Sequence, residues 1–439
     1  MKIWAVLLFC LPLFSQLASV AQPRREDIYS DFVLYNKRKL LLKDLHENVV
    51  GKAFSLRLDS NSEYRYEAAC RAIVQFMLDN DTTQQGITQL FVQYDSLQTD
   101  TKRAMLETVY GVYPDQYIQS VQLLLAKETN PVLFAIAAVY CYRYDTTAAN
   151  TNNIKKRLKE QFPAYASIPV LAELDRYLTN TAKYKALSQA DMVALFSYQQ
   201  IVKKKVIYSF QRHSRDYGGL AIVQNADGSF ARSAEGRLLV FEQLARSASG
   251  LPYFIPDGNT PQGVYSIQGT AVTYNKLIGP TPNLQLILPF ERKWTTYFQL
   301  TDSVWNPAVD VQWSYLQLLP PGFRNFPWVT EAFYAGKTGR NSIIAHGTTI
   351  DPVYFKNKPY YPLTPTMGCL CAKELWNESN GRLLVSDQFN LVNTFTATPG
   401  SKGYLYVIDV DDQRKAVSRA EVERWVKEFE NVRAITNRQ

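Results

Sequence analysis

Cysteine is scarce in this chain: five occur in 439 residues, and one of them, Cys10, sits inside an apolar N-terminal run. The other four, Cys70, Cys141, Cys369 and Cys371, are too few for a disulfide scaffold, so the fold must rest on its own buried core. Histidine is rarer still, with His46, His213 and His346. A Cys-x-Cys pair plus one histidine falls short of the four ligands of a structural zinc site, so no metal is expected. No Gly-x-x-x-x-Gly-Lys-Ser/Thr loop occurs, which removes the usual phosphate cradle, and no cofactor is expected. Runs of positive charge are also missing. The net charge is +8, yet the longest basic run is Lys203-Lys204-Lys205, so a nucleic-acid partner is not expected.

Long apolar runs are confined to the start. Lys2 precedes the stretch Ile3 to Phe14, and the small residues Ser19 and Ala21 flank a cut before Gln22. That pattern reads as a secretory signal peptide over residues 1–21. Its apolar part is shorter than the roughly 20 residues needed to span a bilayer, so no stable membrane span is expected after cleavage. The mature chain is expected in the periplasm or cell envelope. With 46% hydrophobic and 20% charged residues it should be globular, and its length suggests two or three domains.

From about Arg25 to Gln200 apolar residues recur at three- and four-residue spacings, with almost no strand-like alternation. Helices are predicted at Glu63 to Leu78, Asp100 to Tyr110, Asp115 to Lys127 and Pro131 to Tyr144, punctuated by Asp, Thr, Asn and Pro. Alanines at 69, 104 and 137 recur in similar contexts, which makes residues 22–204 either a HEAT-like array or an irregular helical bundle. Near Lys203 the texture changes. Runs at Val206 to Phe210, Arg237 to Phe241, Val264 to Ile267, Leu284 to Leu288 and Tyr404 to Ile408 read as short strands of a sheet or sandwich over residues 205–410. Residues 411–439 hold a last helix from Ser418, with Ser418 and Glu421 spaced as a capping box. The fold class is thus α+β, multidomain, with an all-α part first.

Three segments bear on chemistry. His346 follows Ile343-Ile344-Ala345 and precedes Gly347-Thr348-Thr349, a strand end entering a turn, whereas His46 and His213 sit among charged residues and suit surface roles. Thr366-Met367-Gly368-Cys369 places a thiol after glycine, a turn that can present both a nucleophile and backbone N–H donors; read alone, it equally suits a buried structural cysteine. Asp257 to Ile267 is a turn-rich segment running into a strand.

In their order, Thr260-Pro261-Gln262-Gly263, His346-Gly347-Thr348 and Thr366-Met367-Gly368-Cys369 resemble the motifs of the L,D-transpeptidase family, with its YkuD-type catalytic domain, over roughly residues 205–410. The resemblance implies a β-sandwich catalytic domain and an exported cysteine acyltransferase that acts on peptidoglycan stem peptides through a thioester. It makes Cys369 the nucleophile, His346 the base and acid, Gly347 the carbonyl that orients the imidazole, and Gly368 a backbone donor to the oxyanion. Thr366, Tyr361 and Trp328 are the expected substrate contacts, and Tyr354, Phe355, Tyr360 and Tyr361, with Trp328, either form an aromatic wall for the substrate or serve as partly buried loop anchors. The chain departs from the family at Met367, where a basic residue or histidine is usual, and at Cys371, where arginine is common. An L,D-carboxypeptidase using the same site, or an idle envelope-binding scaffold, are the alternatives, and the helical region is a candidate surface for an envelope protein partner.

Overall fold

A computed structural model describes residues 24–180, 186–306 and 308–436; the expected leader, with Cys10, lies outside them. Helices occupy the first part of the chain: Glu63–Phe76, Asp81–Val92, Thr99–Val112, Ile118–Leu125, Pro131–Tyr144, Ala148–Gln161 and Pro169–Thr179. Pro131–Tyr144 is the axle. Asn130 caps it, accepting from Val132 N at 2.9 Å, and Pro131 occupies the first turn, where its missing N–H costs nothing. Every residue from Leu133 to Cys141 is buried, so this helix is apolar on all sides and packs against four neighbours, 99–112, 118–125, 148–161 and 169–179. The repeated alanines explain the closeness: Ala69, Ala104 and Ala137 are all buried within one core. Cys70 and Cys141 are buried thiols in that core, not a disulfide.

Among the described residues ten strands follow: β1 (Lys205–Arg212), β2 (Gly219–Gln224), β3 (Phe241–Leu244), β4 (Gly263–Ala271), β5 (Asn283–Ile287), β6 (Ile344–His346), β7 (Leu370–Ala372), β8 (Glu374–Trp376), β9 (Leu383–Ser386) and β10 (Gly403–Asp411). The sandwich implied by the family resemblance is not what forms. Eight of the strands close into one mixed barrel in the order β1-β10-β4-β5-β6-β7-β3-β2, while β8 and β9 make a separate two-stranded sheet. The closure runs through β3. β3 pairs with β2 on one side and with β7 on the other, through Gln243↔Ala372 and Leu244↔Cys371, so no edge is left exposed. Side-chain alternation then sorts inside from outside. Ile207, Val223, Phe241, Tyr265, Leu286, Ala345, Leu370 and Leu405, one from each barrel strand, meet in a single core with Leu391, Val392 and Phe395 of the helix Asp387–Thr396.

The opposite faces are covered by helices. Val206, Tyr208 and Phe210 of β1 point outward beneath Gln189–Val202 and the final helix Arg419–Thr436, where Phe210 meets Trp425 at 5.2 Å between ring centres. That last helix starts on the capping box expected of it: Ser418 Oγ accepts from Glu421 N at 3.3 Å, and Glu421 accepts from Ser418 N at 2.8 Å.

The helical array does not stand apart from the barrel. Its core continues into Leu244, Leu251, Phe254, Ile255, Ile350, Phe355, Tyr360 and Leu363, which belong to β3 and to two loops, 246–259 and 350–363. Phe76 of the array contacts Tyr354 at 5.0 Å, and Arg176 donates to the Tyr253 hydroxyl at 3.0 Å. Phe355 is wholly buried, which stabilises the junction by about 2–3 kcal/mol. Tyr354, Phe355 and Tyr360 therefore anchor the 350–363 loop to the helices, one of the two roles open to these aromatics beside that of a substrate wall.

Candidate active site

Two three-residue strands set the geometry. β6 and β7 run parallel with Ala345 opposite Leu370 and His346 opposite Cys371. Since Ala345 and Leu370 face the barrel interior, the alternation sends Ile344, His346 and Cys371 to the outer face. Cys369, one residue before β7, joins them there: Ile344 N donates to its Sγ at 3.4 Å, and the thiol approaches Ser342 O at 3.8 Å. His346 and Cys369 thus share a face of neighbouring strands, two residues out of register.

The imidazole is held in one tautomer. His346 Nδ1 lies 2.5 Å from Gly347 O, and a carbonyl only accepts, so Nδ1 carries the proton and Nε2 keeps its lone pair. Burial pushes the His346 pKa down to about 4, against the upward pull of the Gly347 carbonyl, so the ring is neutral at physiological pH. A neutral ring with a bare Nε2 is the form a general base requires. Gly347 is demanded by its surroundings, because a Cβ there would collide with the Glu374 carboxylate.

Glu374 braces the turn from behind. It is buried, accepts from Thr348 N at 2.8 Å and from Ser386 Oγ at 2.6 Å, and Trp376 Nε1 donates to Thr348 O at 2.8 Å. On the other side Gln388 Nε2 donates to Ala345 O at 2.9 Å. Burial raises the Glu374 carboxyl to about 7, opposed by its hydrogen bonds. The folded value lies above the ordinary one, so its stabilising contribution is present below about pH 4.5 and is lost as pH rises through 7, by about 3 kcal/mol at most. Glu374→Gln is accordingly expected to gain on the wild type as pH rises from 4.5 to 8. Thermal melts across that range check this, and a constant Tm gap would contradict it.

The nucleophile turn is tied by two threonines. Thr366 Oγ1 accepts from Gly368 N at 3.1 Å and donates to Cys369 O at 2.8 Å, while Thr260 Oγ1 donates to Gly368 O at 2.9 Å. Thr366 is therefore a strut of the turn, and Gly368 N–H, the expected oxyanion donor, already has an acceptor. Gly368 adopts φ +107°, where side chains are strained, and a Cβ there would also strike Arg340. The Thr260-Pro261-Gln262-Gly263 segment is likewise a brace: Gln262 N donates to Glu331 at 2.8 Å and Gln262 Oε1 accepts from Asp409 N at 2.8 Å.

Of the two cysteines, only Cys369 is placed for reaction. Cys371 is 1% exposed and burial drives its thiol well above the ordinary range, whereas Cys369 is partly exposed. No disulfide joins them. Trp328 is held on the β4 and β10 side of the barrel, stacked on Phe326 at 4.7 Å in the cluster of Val264, Leu319 and Tyr406. Tyr361 stands 45% exposed on the 350–363 loop. His46 is exposed, and His213 is half-exposed at 3.3 Å from Asp409, so both take the surface roles expected. Three contributors have no motif: Arg340, Glu374 and Gln388 become visible only when the fold brings them to the two turns. Among the described residues no group of three His, Cys, Asp or Glu could hold a metal ion, and no helix is long and apolar enough to cross a membrane. No family model, curated protein or solved structure matches this chain.

Proposed function

We propose that the protein is a cysteine acyltransferase that acts on peptidoglycan stem peptides in the cell envelope, by L,D-transpeptidation through a Cys369 thioester. The observation that carries the proposal is the placement of Cys369 and His346 on one face of adjacent parallel strands, with the imidazole fixed by Gly347 O at 2.5 Å. The closed barrel differs from the sandwich of the resembling family, so the reading rests on the three motifs and their geometry and not on the fold.

The chemistry follows from the groups present. Cys369 Sγ attacks the carbonyl carbon of a stem-peptide bond as His346 Nε2 takes the thiol proton. The imidazolium that forms is stabilised by the Nδ1–H bond to Gly347 O. Negative charge builds on the carbonyl oxygen, where a single backbone donor contributes on the order of 3 kcal/mol, and Gly368 N–H is already committed to Thr366. His346 then protonates the departing amine, leaving a thioester. An amine from a second stem peptide attacks it and restores the thiol.

The helical array supports this reading in a particular way. It clamps the 246–259 and 350–363 loops, and the first of these holds the nucleophile turn through Ala248 N to Thr366 O at 2.7 Å. That face of the array is occupied by its own chain, so an envelope partner would have to use another. The purified protein incubated with a disaccharide tetrapeptide is expected to yield a cross-linked dimer. Loss of the terminal residue without dimer would make it a carboxypeptidase on the same site, and an unchanged substrate would favour an idle scaffold.

A further inference from the structure

Arg340 is a charge with an unusual set of partners. Its guanidinium is buried, and it donates to main-chain oxygens: Nη2 to Gly258 O at 2.9 Å, Nη1 to Asn259 O at 2.6 Å and Nη1 to Tyr253 O. Among the described residues it forms no ion pair. Neutral carbonyls satisfy its protons without cancelling its charge. A buried cation in that condition is little screened by solvent, so its charge acts on the ionisable groups around it.

The direction of that field is set by packing. Arg340 Nη2 occupies the space where a Cβ on Gly368 would project, so the guanidinium lies directly behind the residue that precedes Cys369. The 246–259 loop that supplies its three acceptors also holds the nucleophile turn, so cation and thiol are fixed in one frame. We infer that Arg340 is the positioning residue that makes Cys369 easier to ionise, so that His346 takes the thiol proton more readily, supplying from the Gly339–Asn341 segment a positive charge for the nucleophile. The inference rests on the proposed function only in taking Cys369 as the nucleophile.

Other ionisable groups flank the turn. From β6 comes His346, neutral because it is buried, and from β7 comes Cys371, also kept neutral by burial. From the 246–259 loop comes Asp257, which faces Arg103 of the helical array at 4.0 Å, and from β4 comes the Tyr265 phenol, held protonated by burial. Burial opposes the Arg340 charge, while Tyr265, Asp257 and Cys369 in their anionic forms favour it. Coupling of this kind is reciprocal: whatever the thiolate does for the guanidinium, the guanidinium does equally for the thiolate. With Asp257 shared with Arg103 and Tyr265 protonated, Cys369 is the partner whose ionisation the field can still drive.

The test is the pH dependence of iodoacetamide alkylation in the full-length folded protein, with the modified peptide mapped to Cys369. The wild type is expected to show a midpoint below the ordinary thiol value of about 8.5. Arg340→Met should raise it by about one to three pH units, the shift expected on losing an opposite charge at this range. Arg340→Lys, which keeps the charge, should stay within about one unit of the wild type. If the methionine variant does not fold, the lysine variant decides: a folded Arg340→Lys protein with the ordinary midpoint overturns the inference. So does a folded Arg340→Met protein whose midpoint equals that of the wild type. An acyl-enzyme that forms normally while the midpoint ignores residue 340 refutes the Arg340 assignment and leaves the proposed function standing. A low, Arg340-dependent midpoint with no acyl-enzyme does the reverse.

Discussion

Cys369→Ala is expected to lower acyl transfer by about 10³-fold or more while leaving the fold in place. The size of the loss follows from the absence of a substitute. Cys371 lies two positions away but is 1% exposed, its thiol held protonated by burial, and Cys70 and Cys141 are buried in the helical core. The stability of the variant should change little, because Cys369 is partly exposed and the turn is held mainly by hydrogen bonds from Thr260 and Thr366 to main-chain oxygens, with only the 3.4 Å contact from Ile344 N resting on the sulfur. Turnover of a disaccharide tetrapeptide, measured beside a thermal melt, checks both halves. Near-normal turnover in a folded Cys369→Ala protein would remove Cys369 from the reaction.

His346→Gln should reduce turnover by about 10²- to 10⁴-fold, the range for loss of a positioned general base. Glutamine is chosen because its amide can still donate to Gly347 O, so the turn keeps its hydrogen bond while losing its proton acceptor. The variant also has a signature in stability. The folded His346 value of about 4 lies below its ordinary 6.5, so the wild type loses stability as pH falls from about 6.5 towards 4, by about 3 kcal/mol. His346→Gln should lack that component, and its Tm relative to the wild type should rise as the solution is acidified. Raised carboxyls such as Glu374 act in the opposite sense over part of this range, which is why the comparison is between variant and wild type at each pH.

How much of this was legible beforehand differs by level. The helices were readable because their signals are local: Pro131 at a first turn, Ser418 with Glu421 as a capping box, and apolar spacing along Glu63–Phe76. The start of the β region near Lys203 matches β1 at Lys205 for the same reason. Closure of the barrel was not readable. It depends on β6, β7 and β3, of three, three and four residues, whose pairing is non-local and too short to produce a period-two pattern. The run Arg237 to Phe241 was expected as a strand, yet only Phe241 enters β3, because Arg232 and Leu238 form an isolated bridge in the hairpin before it.

The site divides in the same way. His346, Gly347 and Cys369 announce themselves through motifs. The side chains that hold them do not, since Glu374 and Gln388 are remote along the chain and reach the His346 turn only through the small β8–β9 sheet and the Asp387–Thr396 helix. Thr366 and Trp328 were expected to meet substrate, but the sequence cannot distinguish a hydroxyl that faces a cleft from one that ties its own turn, or an aromatic wall from an aromatic core.

The most direct measurement is the intact mass of the purified protein after exposure to a carbapenem, followed by peptide mapping. A single covalent adduct on Cys369, absent from Cys369→Ala and formed much more slowly by His346→Gln, is the predicted result. A properly folded protein that takes up no adduct, or carries it on a different residue, would contradict the claim that these two groups form a nucleophile and its base.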